Sequence, residues 1–237
     1  MRTTQARPIP LYLTALVAFF TALAALAVSN GMAHAHGDAP HGQHAAAAVG
    51  HAHSPTLTKK SVVLHQNLRK LWEDHITWTR LAIISLESGT PDTGATVGRL
   101  LQNQTDLGNA FKPFYGKAAG DRVTALLRQH ILIAADLIAA AKAGNGSEIA
   151  DAQSRWLANA DEIAAVLHSV NPRHWPLGVL KAEMHMHLKL TTNEAVARLN
   201  GDWSGDVAAY DKVHRHILHM SDLLADGLVK QFPRRFR

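Results

Sequence analysis

From residue 58 to residue 231, apolar side chains recur every three or four positions, and no stretch shows the alternating pattern of a half-buried strand. This periodicity leaves the chain one way to bury its apolar surface, by packing helix stripes against one another. Gly, Asn and Pro mark the breaks. They predict helices over 58–87, closed by Gly89-Thr90-Pro91, and over 93–115, weakened by Gly108 and Pro113. Further helices are predicted over 121–143, ended by Gly144-Asn145-Gly146, and over 147–170, stopped by Asn171-Pro172. The last two run over 177–200 and 204–231, the final one ended by Pro233. Short links between long amphipathic helices imply an all-α antiparallel bundle of four long core helices with shorter helical segments. The chain has no cysteine, so core packing rather than disulfides must hold it together.

The N-terminal region reads differently. Arg2 and Arg7 precede an apolar run, LYLTALVAFFTALAALAV, over 11–28. Small residues then offer cleavage after Ala33 or after Ala35, the layout of a secretory signal. The expected organisation is a signal peptide over 1–35, a flexible tail over 36–55, a helical-bundle domain over 56–233 and a short basic tail over 234–237. An uncleaved signal would be the chain's only attachment to a membrane. The expected location is periplasmic or secreted. Formal charge is +5 for the whole chain, and loss of Arg2 and Arg7 brings it to +3. That mild charge, with only Arg234, Arg235 and Arg237 clustered, argues against nucleic acid as a partner.

Sixteen histidines are the chain's chemical signature, and six of them crowd the tail: His34, His36, His41, His44, His51 and His53. A His-rich tract outside any predicted core reads as a metal-binding tail. Cleavage after Ala33 would leave a free amine with histidine third, a nitrogen set suited to Cu(II) or Ni(II). Cleavage after Ala35 would leave His36 first, with its amine and imidazole able to chelate one copper.

Inside the bundle, histidines fall on apolar stripes. His75 lies in line with Leu64, Leu68, Leu71, Trp78 and Ala82, and His130 with Val123, Leu126, Leu127, Ala134 and Leu137. His187 shares a face with Leu180, Met184, Thr191 and Glu194, and His214 with Val207, Tyr210, Ile217 and Leu224. A single core histidine is more often satisfied by a backbone carbonyl than by a metal. Four of them change that weighing. Each unsatisfied buried polar group costs about 1–3 kcal/mol, and a domain has only about 5–15 kcal/mol of stability. Convergence on one divalent ion, copper or zinc first, would satisfy all four together. Glu194, two turns from His187, and Asp211, three before His214, are the carboxylates placed to join them. Asn159 lies near a core stripe and could orient a ligand. His185 and His219 share faces with charged residues and read as exposed, while His216, near Val213, Met220 and Leu223, is ambiguous. Paired Glu-x-x-His motifs, His-Glu-x-x-His, phosphate loops and Cys-x-x-Cys-His are absent from the sequence. Haem held between two histidines is a lesser alternative.

The stretches LWEDHITWTRLAIIS (71–85), NADEIAAVL (159–167) and LTTNEAVARLNGDW (190–203) are similar to a family of small exported bacterial helical proteins. The resemblance runs over roughly residues 60–233 and implies an exported helical domain. Members of that family sometimes carry a glycosyltransferase label, but this chain has no nucleotide-sugar fold pattern and no Asp-x-Asp motif. The expected function is buffering, storage or delivery of copper or zinc, with metal ions as partners and homodimerisation open. The alternatives are a metal-dependent enzyme using a water-activating His/carboxylate site, and a structural or partner-binding bundle.

Overall fold

The computed structural model describes residues 58–237, all in one helical bundle. Five helices make it up: α1 (Lys59–Ser88), α2 (Thr93–Ala143), α3 (Gly146–Val170), α4 (Leu177–Leu199) and α5 (Trp203–Gln231). The signal segment and the His-rich tail, with His34, His36, His41, His44, His51 and His53, lie outside the described residues.

Local chemistry sets the helix ends. Thr58 caps α1 reciprocally: its hydroxyl accepts from the Ser61 N–H at 3.2 Å, and the Ser61 hydroxyl accepts from the Thr58 N–H at 3.0 Å. Gly89 and Gly144 close α1 and α2 with φ of 65° and 69°, the left-handed conformation glycine adopts at least cost. Asn145 and Asp202 cap α3 and α5 through their side-chain oxygens.

The α2 helix is two arms rather than one rod. Gly116, at φ 82° and ψ 174°, breaks it, and the arms fold back so that Gly108 meets Gly120. The expected interruption is therefore real, but it falls three residues after Pro113, and Gly108 serves close packing instead. A Cβ on Gly108 would stand 2.6 Å from the Gly120 carbonyl oxygen, and one on Gly120 would stand 2.7 Å from the Gly108 carbonyl. Because the Thr124 hydroxyl stands closer still and the carbonyl is backbone, Gly108→Ala should cost about 1–3 kcal/mol. Urea denaturation checks this, and an unchanged midpoint would show that the arms can separate freely.

Cross-helix bonds show the antiparallel order. Along α1, Arg69 meets Asp222, Thr77 meets Tyr210 and Arg80 meets Asp206, so α5 runs the opposite way. Along α3, Arg155 meets Asp136, Asn159 meets Leu126 and Glu162 meets Arg122, which sets the second arm of α2 antiparallel to it. α4 packs between α3 and α5 and completes the ring. The last residues are not a free tail. Pro233–Arg235 form a 3-10 turn, Phe236 is buried against Phe114, and Lys60 donates to the Arg237 carbonyl.

Candidate metal centre

Three histidines from three helices meet in the core. His75 on α1, His130 on the second arm of α2 and His187 on α4 are 2, 3 and 4 % exposed. The His187 ring centroid lies 5.7 Å from that of His75 and 6.2 Å from that of His130. A fourth ring, His216 on α5, lies 6.3 Å from His187 on another side, so His187 is the hub. Tryptophans wall the cluster: Trp156 is 5.2 Å from His130, and Trp72 stands edge-on to His75 at 5.6 Å.

Hydrogen bonds fix which nitrogen carries a lone pair in His75, His130 and His216. The Asn159 amide donates to the Leu126 carbonyl at 3.1 Å, so its oxygen must face His130 Nδ1, 2.8 Å away. Nδ1 therefore carries the proton and Nε2 the lone pair, and that Nε2 is buried without a hydrogen-bond partner. This is how a metal-binding histidine is usually oriented, with one nitrogen tethered and the other free. His187 Nδ1 is likewise buried and unpartnered. His216 Nε2 donates to the Glu183 carbonyl at 3.1 Å, which leaves its lone pair on Nδ1. His75 is reversed. Its Nδ1 accepts from the Gln104 amide at 3.2 Å, so its Nε2 holds the proton.

Burial keeps these rings uncharged. Desolvation, followed by the nearby His130, lowers the His75 pKa to about 3. Desolvation lowers His130 to about 4, and it holds His187 well below the ordinary histidine value, with His75, His130 and His216 adding repulsion. His216 is lowered too, again first by burial.

Three sequence-based assignments need correction. His214 does not join the cluster: its side chain is 39 % exposed and pairs with Glu73 at 3.0 Å. Asp211 is exposed. The inward face of α5 is Asp206, Ala209, Val213, Ile217, Met220 and Leu224, whereas Val207 points outward. Its first half thus lies one position earlier than the expected stripe, because Asp206 is drawn inward by Arg80. That rotation brings His216, between Val213 and Met220, to the edge of the core. Glu194 is buried as expected, but its carboxylate accepts from Arg80 at 2.9 Å rather than serving the histidines. Burial, partly offset by Arg80, raises its pKa to about 7. Glu194 thus faces Arg80 and Asp211 faces solvent, so neither carboxylate stands with the histidines.

Sequence reasoning missed the Asn103–Gln104 amide pair behind His75 and the Arg80 centre. Both amides are fully buried, yet they sit in the polar run Gln102-Asn103-Gln104-Thr105-Asp106, which gave no signal of an inward face. Among the described residues, no three histidine or carboxylate side chains stand around one point at coordination distance.

No family model, curated protein or solved structure matches this chain. What the cluster can do follows from its donors. Neutral imidazole is the ligating form, and a set of imidazoles without thiolate suits copper or zinc. His130 Nε2 and His216 Nδ1 present their lone pairs directly, and His187 adds its own in the tautomer that leaves the unpartnered Nδ1 unprotonated. A small cavity on the far side of Trp156, lined by Thr191 and Thr192 among others, is about 40 Å³. That is room for a water or two.

Proposed function

We propose that this protein is an exported carrier of a divalent transition metal, copper or zinc, which it buffers, stores or passes on in the periplasm or outside the cell. The observation that carries this reading is the meeting of four helices' imidazoles around His187, with His130 oriented by Asn159 so that its unpartnered lone pair faces inward. His130, His187 and His216 are the ready donors. His75 lines the site without offering a lone pair, because its Nδ1 accepts from the Gln104 amide, which the Leu100 carbonyl holds in that orientation. Six tail histidines would collect ions weakly for this site.

Metal loading should raise the melting temperature of the untagged protein. A free ion at 100–1,000 times its Kd stabilises by about 2.7–4.1 kcal/mol. For a domain of this size, that is a rise of about 5–15 °C. His130→Ala should abolish the rise, and deletion of residues 36–53 should lower the metal stoichiometry while leaving the rise in place. Elemental analysis after copper or zinc loading, run beside the thermal scans, makes the test. An undiminished rise in His130→Ala would remove the core site, and no bound metal at all would leave a structural or partner-binding bundle.

A further inference from the structure

We infer that His219, Glu183 and His216 form a surface loading site through which a divalent transition ion reaches His187. This inference rests on the metal-carrier reading above. Exposure falls in steps along one line of side chains. His219 is 64 % exposed, and its Nε2 stands 3.4 Å from Glu183 Oε1. The other carboxylate oxygen of Glu183 lies 3.7 Å from Nδ1 of His216, whose side chain is 10 % exposed. The His216 ring is then 6.3 Å from that of His187, the core hub. No other histidine reaches from the protein surface to the buried cluster through such close neighbours among the described residues.

The donors at each step suit a transition ion. His216 and His219 are three apart on α5 and share a face, while Glu183 reaches them from α4. Because His216 Nε2 is tied to the Glu183 carbonyl, its lone pair and the Glu183 carboxylate are presented side by side. Imidazole with carboxylate favours zinc, copper or nickel over calcium or magnesium, which take oxygen ligands. The negative carboxylate at the mouth attracts a cation, and His219 captures it. Only one carboxylate and one imidazole hold the ion at each stage, so binding is weak enough to release it inward. A transfer route needs that balance, and a storage site does not. The core beyond offers more imidazoles without competing water.

Stopped-flow mixing of the full chain with Cu(II) tests the route. Trp156 and Trp72 lie within 5.2 Å and 5.6 Å of core histidines, so copper arriving there quenches their fluorescence. The quenching phase that disappears in His130→Ala reports core loading. Glu183→Gln and His219→Ala should each slow that phase by about tenfold, the scale of lost electrostatic steering, with its final amplitude unchanged. His185→Ala, on the neighbouring face where His185 pairs with Asp161, should leave the rate at the wild-type value. Wild-type rates in both Glu183→Gln and His219→Ala would overturn the loading site while leaving the core site standing, as would equal slowing by His185→Ala. Absence of any His130-dependent phase in the wild type would overturn both the route and the metal reading.

Discussion

Arg80→Ala is expected to lower the unfolding free energy at pH 7 by about 3–5 kcal/mol, the usual result of leaving buried charge uncompensated. Arg80 on α1 donates to Glu194 on α4 at 2.9 Å and to both carboxylate oxygens of Asp206 on α5, at 2.7 and 3.0 Å. Its guanidinium also lies over the Tyr210 ring, 4.8 Å from the centroid. Both carboxylates are buried, so one side chain ties three helices together where water is excluded. After truncation, Asp206 keeps only Arg198, 3.6 Å away. Glu194 would be forced to take up a proton or remain buried and charged. Arg80→Lys should recover only part of the loss, because an ammonium cannot reproduce the forked contact. Urea denaturation of the single variant and of the Arg80→Ala/Glu194→Gln double variant measures this. The double variant should lose less than the two single losses combined. A loss below about 1 kcal/mol in Arg80→Ala would place the trio with exposed ion pairs instead.

Acidification should destabilise the metal-free domain well above the usual acid range. Histidine in the unfolded chain takes a proton near pH 6.5. His75 and His130 in the fold resist until about 3 and 4, and His187 resists well below its ordinary value. The unfolded state therefore binds more protons than the folded state below pH 6.5, and stability falls as pH falls through that window. Between pH 7 and 5, His75 and His130 should each remove roughly 2 kcal/mol, and His187 acts in the same direction. Glu194 opposes them. Its folded pKa is raised to about 7, so it favours the folded state on protonation, and its contribution is lost as pH rises through 7. The paired carboxylates Asp161 and Asp222 are held low and act only below the ordinary carboxylate range. The net expectation is a falling urea midpoint from pH 7 to pH 5 in the presence of a chelator. Glu194→Gln should steepen the fall by roughly 2 kcal/mol, since an amide cannot take up the compensating proton. A midpoint that holds steady or rises in the wild type over this range would show that the histidines are not buried as described.

His75, His130 and His187 were legible because each stands mid-stripe, where the neighbours at three and four positions settle the inward face. The α4 stripe was the clearest, with Leu180, Met184, His187, Thr191 and Glu194 all buried. His214 was misread for a physical reason. α5 carries two nearly equivalent stripes in its first half, and the choice between them rests on Asp206, a residue that patterning places outside. Its burial depends on Arg80, 126 residues away in the chain. Periodicity along one helix cannot register such a partner. The same limit hid Gln104, whose role exists only because α1 lays His75 against it.

The sequence by itself determined that this chain is a helical bundle, where its helices end and that several histidines must face the core. Those properties are local, set by caps, breakers and the 3.6-residue period. Tertiary structure alone decided which histidines meet, which nitrogen each presents, that Glu194 serves Arg80 rather than the imidazoles, and that His216 and not His214 leads to the surface. Helix rotation is set by the sum of contacts from several neighbouring helices, and a buried charge can turn a helix when the apolar pattern leaves two faces close in energy.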